Sequence, residues 1–128
     1  MLLRKEIRVL VADDMSVSRQ ILLQMLERIG IADTTSASDG IAAWNSLLRR
    51  PADVIIADLE MPGMDGLQLL RRMREHRRFF RIGFVMTSGH DGDPRIDEAW
   101  RCGMNRFLPK PFDIHRLVKS LESVAGRI

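Results

Sequence analysis

Residues 53–66, Asp-Val-Ile-Ile-Ala-Asp-Leu-Glu-Met-Pro-Gly-Met-Asp-Gly, decide the fold that we expect for this chain. They begin with the apolar run Val54–Ala57, whose length and β-branched content are typical of a strand buried on both faces. The run breaks at Asp58, and the Met-Pro-Gly that follows prevents the strand from continuing. Asp65 is then a candidate N-cap of a helix. We therefore expect an acid at the tip of a buried strand, where α/β proteins place their ligand sites.

Strand and helix patterns alternate on both sides of this stretch. The other predicted strands are Ile7–Ala12, Ala32–Ser38 (at a sheet edge), Ile82–Met86 and Arg106–Leu108. The predicted helices begin with a Ser16 cap (apolar positions Val17, Ile21, Leu22, Met25, Leu26 and Ile29), with Asp39-Gly40, with Asp65, with Pro94 and with Asp113. This alternation predicts an α/β fold in which a doubly wound, five-stranded parallel sheet is covered by five helices. The pattern extends over residues 1–128 as a single domain.

The composition is that of a globular protein, with 45% hydrophobic and 29% charged residues. Cys102 is the only cysteine, which excludes a disulfide framework and a thiolate metal cluster. We find neither a cleavable signal sequence nor an apolar run of about 20 residues that could span a membrane. The sequence therefore predicts a cytoplasmic protein that does not insert into membranes.

Six arginines cluster at the end of the third helix and in the loop after it, although the whole chain carries only +3. They are Arg71, Arg72, Arg74, Arg77, Arg78 and Arg81. We interpret them as a solvated surface with cations at a helix C-terminus and expect no direct nucleic-acid binding; a patch for nucleic acid or an acidic partner is the alternative. Phe79 and Phe80, which interrupt the cluster, are expected to pack into the core.

Unusual polar residues follow the strands at one common edge. Asp13 and Asp14 end strand one, Asp58 ends strand three, Thr87 ends strand four, and Lys110 follows strand five. Converging carboxylates repel each other, and a set of oxygen ligands favours a hard ion such as Mg²⁺. A carboxylate can attack phosphorus to give an acyl phosphate, whose charge a metal, a hydroxyl and an ammonium would offset. Each residue also has a structural interpretation, such as helix capping for the acid pair, turn formation for Asp58 and a solvated charge for Lys110.

The motifs together are those of a known family. Asp13-Asp14, the segment Asp58–Gly66, Thr87-Ser88 and Lys110-Pro111-Phe112 resemble the CheY-like receiver domain of two-component response regulators in order and spacing. The resemblance covers essentially the entire chain and implies a stand-alone, single-domain receiver. It also implies the flavodoxin-like strand order 2-1-3-4-5, for which the chemotaxis receiver CheY is a known example.

The resemblance implies a role for each of these side chains. Asp58 would be the phosphoacceptor, contacted through its phosphoryl group by Thr87 and Lys110. Mg²⁺ would be held by Asp14, Asp58 and the backbone carbonyl of Glu60, and by Asp13 mostly through a metal-bound water. The Lys110-Pro111 bond is implied to be cis.

The resemblance implies that the chain acts in signalling and is not a conventional enzyme. A histidine kinase or phosphotransfer protein would phosphorylate the chain, and a switch through Thr87 and Phe107 would then change its affinity for a downstream protein target. Tyrosine is absent from the chain, so a switch that uses a phenol at the Phe107 position is not expected. Ile96, Trp100 and Arg106 are candidate residues of the partner face, and packing of Ile96 and Trp100 in the core is the alternative. The pathway stays open between chemotaxis, a phosphate sink and a phosphorelay.

Two enzyme-like alternatives use some of the same residues. A Mg²⁺-dependent phosphohydrolase of the haloacid-dehalogenase kind would use Asp58 as nucleophile and Glu60 as acid/base, but it leaves the double acid of strand one unexplained. A dinucleotide-binding domain lacks the required Gly-x-Gly-x-x-Gly after strand one.

Overall fold

Five parallel strands form the sheet of the computed structural model, which describes residues 6–125. In chain order the elements are β1 (Val9–Ala12), α1 (Ser16–Arg28), β2 (Thr34–Ala37), α2 (Gly40–Arg49), β3 (Val54–Asp58), α3 (Gly66–Arg74), β4 (Gly83–Ser88), α4 (Pro94–Arg101), β5 (Arg106–Pro109) and α5 (Ile114–Ala125). The strands pair in the order β2-β1-β3-β4-β5, which confirms the predicted α/β topology with β2 at an edge. The ends of the predicted domain, residues 1–5 and 126–128, lie outside the described residues.

The sheet has a separate hydrophobic core on each face, as the alternation of side chains along a strand requires. Val9 and Val11 of β1 pack in a cluster with side chains of α1 and α5. Leu10 and Ala12 of the same strand pack on the other face with α2, α3 and α4. All five residues of β3 are buried, so this strand is covered on both faces, as predicted.

Most of the predicted helix starts carry a capping side chain. Asp39 accepts a hydrogen bond from the backbone N–H of Ala42, and Asp65 forms a reciprocal capping box with Gln68. Asp113 precedes α5 and accepts from the N–H of Arg116 at 2.9 Å. These caps fix where the helices leave the carboxyl edge of the sheet, as the residue types predicted.

The start and the outer face of α1 differ from the prediction. Ser16 is the first helical residue and not the cap; the N-cap is Met15, which has no capping side chain. The N–H of Met15 instead donates to a carboxylate oxygen of Asp13 at 3.0 Å. Val17 is 68% exposed and Ile21 is 48% exposed. They are exposed because α1 contacts the sheet through a different face of the helix, on which its buried residues lie. Helical spacing therefore predicted the helix correctly but overestimated its buried stripe.

Two further predictions, the burial of Phe80 and the place of Ile96 on a partner face, are corrected by the structure. Phe79 is fully buried, whereas its neighbour Phe80 is 47% exposed because adjacent residues of a tight turn point in different directions. Ile96 is only 6% exposed and belongs to the core under α4, so it cannot form an exposed partner face with Trp100.

None of the helices within residues 6–125 is long and apolar enough to cross a membrane.

Candidate functional site

The predicted polar residues lie together at the carboxyl edge of the sheet. Ala12 pairs with Ala57, which places Asp13 and Asp58 at the ends of adjacent strands. Asp58 pairs in turn with Thr87 on β4. Pairing of β5 with β4 extends past the strand ends, since the N–H of Lys110 donates to the carbonyl of Ser88 at 2.8 Å. Backbone pairing thus sets the relative positions of side chains that are up to 97 residues apart in sequence.

Three carboxylates form a cluster with the dimensions of a metal site. Asp13, Asp14 and Asp58 each offer one oxygen, and these oxygens lie within 4.8 Å of one another. Asp13 and Asp58 are buried, whereas Asp14 is exposed and leaves the cluster open to solvent. All of the donors are carboxylate oxygens, which suit a hard divalent cation such as Mg²⁺ better than a softer metal. The donor set therefore fits the ion that the sequence predicted.

Lys110 is the cation that faces this cluster. Its ammonium lies 2.8 Å from a carboxylate oxygen of Asp58 and 3.2 Å from one of Asp13. One ammonium against three carboxylates leaves the site with an excess of two negative charges. A divalent cation would supply the two positive charges that neutralise this excess.

The protonation of Asp58 and Lys110 follows from burial and from their contact. Burial raises the pKa of Asp58, and the nearby charge of Asp13 raises it further; the hydrogen bond and charge of Lys110 offset this only in part. Burial acts to lower the pKa of Lys110, but its hydrogen bond with Asp58 and the two carboxylate charges outweigh burial, so that its pKa is raised. Lys110 therefore stays an ammonium at neutral pH.

Thr87 and Phe107, the two residues predicted to form a switch, lie on the neighbouring strands β4 and β5. Thr87 is buried beside Asp58, and Phe107 on β5 pairs with Met86, the residue before Thr87. Phe107 is half-buried and packs against the core on the α4 side of the sheet. Its ring has no hydroxyl, so only packing governs its orientation. The Lys110-Pro111 bond is cis, as predicted.

Arg95 is a member of the site that the sequence analysis missed. The N–H of Glu60 donates to Asp58 at 3.3 Å, but the Glu60 carboxylate forms an ion pair with Arg95 in the first turn of α4. The same guanidinium lies 2.7 Å from Asp93 and 3.4 Å from Asp65. Its hydrogen bonds lower the pKa of Asp93 to about 2. Arg95 thus ties the loop after the candidate nucleophile to α4; no motif indicates such a pairing between residues distant in sequence.

An apolar groove opens beside the carboxylate cluster and was not predicted either. It has a volume of about 510 Å³ and lies between α1 and the chain that follows β5. One wall consists of Met15 at the N-cap of α1 and of Val17, Ile21 and Met25 within the helix. The other side is lined by Gly89, Lys110, Pro111 and Phe112. Because Lys110 contacts both Asp58 and the groove, a molecule bound there would lie next to the candidate nucleophile. The sequence carries no signal for this groove, because helical spacing predicts its apolar α1 residues as core.

The candidate partner face is present only in part. Trp100 is 45% exposed on α4, and Arg106 is exposed at the start of β5. Ile96 lies in the core, as described above. The surface that remains is one aromatic side chain with a basic residue.

Comparisons with known proteins agree with the fold. The sequence model of the response regulator receiver domain family matches residues 9–122. The chemotaxis protein CheY1 of Helicobacter pylori is 35% identical over 120 residues, which are 93% of this chain and 97% of that protein. The crystal structure of the chemotaxis protein CheY4 of Vibrio cholerae superposes with a TM-score of 0.86 at 28% identity, over 93% of this chain and 98% of that one. The receiver domain of the sensor histidine kinase PA1611 of Pseudomonas aeruginosa, which has a magnesium ion coordinated in its active-site cleft, gives a TM-score of 0.86 at 26% identity, over 94% and 98%.

Proposed function

Because the chain belongs to the response regulator receiver domain family, we propose that it accepts a phosphoryl group on Asp58 and thereby changes its affinity for a protein partner. A receiver domain is a signalling module and not a conventional enzyme. The observation that carries the proposal is the contact of Lys110 with Asp58 inside a cluster of three carboxylates at the end of β3. The chemotaxis proteins among its relatives favour a chemotaxis-type pathway over a phosphate sink or a phosphorelay.

The phosphoryl transfer uses the side chains of the site in distinct roles. A carboxylate oxygen of Asp58 attacks the phosphorus of a phosphohistidine, the P–N bond breaks, and the imidazole nitrogen leaves and takes up a proton from water. Lys110, already 2.8 Å from Asp58, remains close to the new acyl phosphate and offsets its negative charge. The Thr87 hydroxyl, beside Asp58 on β4, donates to a phosphoryl oxygen and links phosphorylation to Phe107.

Mg²⁺ is the cofactor that we propose for this reaction. Asp13, Asp14, Asp58 and the backbone carbonyl of Glu60 would hold it, and the ion would supply the two positive charges that the cluster lacks and attract the phosphoryl oxygens. The magnesium ion in the receiver domain of PA1611 supports this assignment by analogy.

The apolar groove supports a protein as phosphodonor. A histidine kinase or a phosphotransfer protein presents its histidine from a folded surface, and docking of that surface requires apolar area next to the acceptor. The groove provides such area at the mouth of the site, through Val17 and Ile21 of α1. A small phosphodonor such as acetyl phosphate needs no such surface.

Replacement of Ile21 by Asp should therefore separate the two kinds of donor. We expect phosphotransfer from a phosphorylated histidine-containing phosphotransfer protein to slow by about tenfold or more, because the substitution places a charge in the apolar contact. Labelling by acetyl phosphate should stay unchanged. The measurement is the rate of ³²P transfer, with Gln24→Asp, an exposed α1 residue outside the groove, as the control. Equal slowing of both donors in Ile21→Asp would mean that the groove has no part in docking.

The proposed function also includes the surface through which the phosphorylated state is recognised and the location of the protein. We expect the phosphorylated state to be recognised through α4, β5 and α5, with Trp100 and Arg106 as contact residues. We further propose that the receiver domain acts in the cytoplasm. The phosphohydrolase alternative receives no support from the site, because the Glu60 carboxylate that it needs as acid/base is paired with Arg95.

A further inference from the structure

The positive charge of this chain is concentrated in one segment that the proposed phosphorylation chemistry does not use. Residues 71–81 hold six arginines and one glutamate, a formal +5. The whole chain carries +3, so the remaining residues sum to −2. The segment covers the end of α3 and the turn before β4, at the edge of the sheet opposite Asp58. The basic character of the protein therefore belongs to one surface, remote from the carboxylate cluster.

Two of the six arginines serve the fold. Arg74 donates to the carbonyls of Ile82 at 2.8 Å and Gly103 at 2.9 Å, and burial lowers its pKa. Arg71 forms an ion pair with Glu98 of α4. The other four arginines are exposed and form no ion pair with any residue between 6 and 125. We call these four, together with the exposed Phe80, the arginine patch: Arg72, Arg77, Arg78, Phe80 and Arg81.

Aromatic rings hold three of the four guanidinium groups in place. The guanidinium of Arg72 lies 4.4 Å from the ring centroid of Trp44. The guanidinium groups of Arg78 and Arg81 lie 5.3 Å from the rings of Phe79 and Phe80 respectively. Contact with a ring uses the flat face of a guanidinium and leaves its in-plane N–H donors free for an anion. A ligand of the patch would therefore meet donors whose motion is already restricted.

The backbone beneath the patch is also fixed. Phe79 is fully buried, and its N–H and that of Phe80 both donate to the carbonyl of His76 at 3.0 Å. Arg74 donates to the carbonyl of Phe80 at 3.2 Å, which anchors the turn from the other side. The patch is thus a preformed surface, since its backbone is held by the core.

We propose that the arginine patch binds a short acidic peptide segment of a partner protein. Carboxylates match the forked donors of guanidinium groups, and the exposed ring of Phe80 provides contact for an apolar side chain of that segment. Glu75 lies within the patch's own stretch and Glu98 lies beside Arg71, so a continuous phosphate backbone would meet carboxylates that a peptide can avoid. An acidic peptide fits this surface better than nucleic acid does.

The position of the arginine patch separates its binding of a partner from phosphorylation. Because it lies at the opposite edge of the sheet from Asp58 and Thr87, its affinity does not depend on phosphorylation. The arginine patch therefore binds its partner in both the phosphorylated and the unphosphorylated state, and a separate surface responds to phosphorylation.

Fluorescence anisotropy with a labelled peptide of alternating Glu and Leu residues tests the proposal. We expect saturable binding that weakens about tenfold, or about 1.4 kcal/mol, in the triple variant Arg77→Gln/Arg78→Gln/Arg81→Gln. The control triple Arg28→Gln/Arg101→Gln/Arg116→Gln removes the same charge from other exposed positions and should bind nearly as well as the wild type. Beryllofluoride with Mg²⁺, which mimics phosphorylation, should leave the affinity unchanged. The single variants serve as the test if the first triple does not fold.

Three results would overturn the proposal. Equal weakening in both triples would show that only net charge matters. Tighter binding of a DNA duplex or of phosphatidylserine vesicles than of the peptide would assign the patch to nucleic acid or to a membrane surface. A change of affinity with beryllofluoride would make the patch part of the phosphorylation switch. The comparison of the two triple variants and the comparison with DNA and vesicles are independent of whether Asp58 is the phosphoacceptor; only the beryllofluoride measurement depends on it.

Discussion

Replacement of Asp14 by Ala should abolish Mg²⁺-dependent labelling of the protein by acetyl phosphate. Asp14 supplies one of the three oxygens of the carboxylate cluster, and two buried carboxylates that share Lys110 are a poorer site for a divalent ion. Because the Asp14 side chain is exposed, its loss opens no cavity in the core. The apo protein should melt at the same temperature as the wild type or higher, since one repulsive charge is removed.

Thermal unfolding with and without Mg²⁺ provides the second measurement on this variant. At a Mg²⁺ concentration tenfold above Kd, binding stabilises the wild type by about 1.4 kcal/mol. Asp14→Ala should lose this increase, whereas Asp97→Ala, which removes an exposed acid on α4, should keep it. A variant that is less stable than the wild type and is still labelled would show that Asp14 only caps or supports α1.

Replacement of Lys110 by Met should both slow phosphorylation and destabilise the fold. Within residues 6–125 the ammonium is the one side-chain cation that contacts the carboxylates of Asp13 and Asp58, so its removal leaves two buried carboxylates uncompensated. Loss of a preorganised charge at a reacting phosphoryl group typically costs about 10²-fold in rate. Unpaired buried groups cost about 1–3 kcal/mol of stability.

A double-mutant cycle separates the electrostatic effect of Lys110 from its packing. The loss of stability in Lys110→Met should shrink when Asp58→Asn is already present, because one of the buried charges is then absent. Lys119→Met, an exposed lysine on α5, is the control for removal of a lysine charge. Urea unfolding gives the free energies. The same loss with and without Asp58→Asn would contradict the role of this ion pair.

The fold and the core of the site could be predicted because they depend on local patterns. Short apolar runs that alternate with helical patterns leave essentially one arrangement, a parallel sheet covered on both faces. Parallel pairing then brings the residues after each strand to the same edge, which is why Asp13, Asp58 and Lys110 are found together. These residues are recognisable from their positions in the strand pattern alone.

The features that sequence reasoning missed depend on which side chains meet in three dimensions. Arg95 pairs with Glu60, which is 35 residues away, and neither residue type nor spacing predicts that pair. Periodicity marks Ile21 and Ile96 alike as apolar helical positions, yet Ile21 lines an open groove and Ile96 is buried. The difference arises because the core covers α4 at Ile96, whereas the chain after β5 leaves a gap beside α1. Helical spacing cannot show how far a neighbouring element extends.

Identification of the labelled residue tests the central claim most directly. The purified protein is incubated with acetyl phosphate and Mg²⁺, and intact-mass and peptide analysis then locate the modification. We predict the addition of one phosphoryl group, on Asp58, and no addition to Asp58→Asn under the same conditions. Equal labelling of Asp58→Asn, or a phosphoryl group on Asp13 or Asp14 of the wild type, would contradict the assignment of Asp58 as the phosphoacceptor.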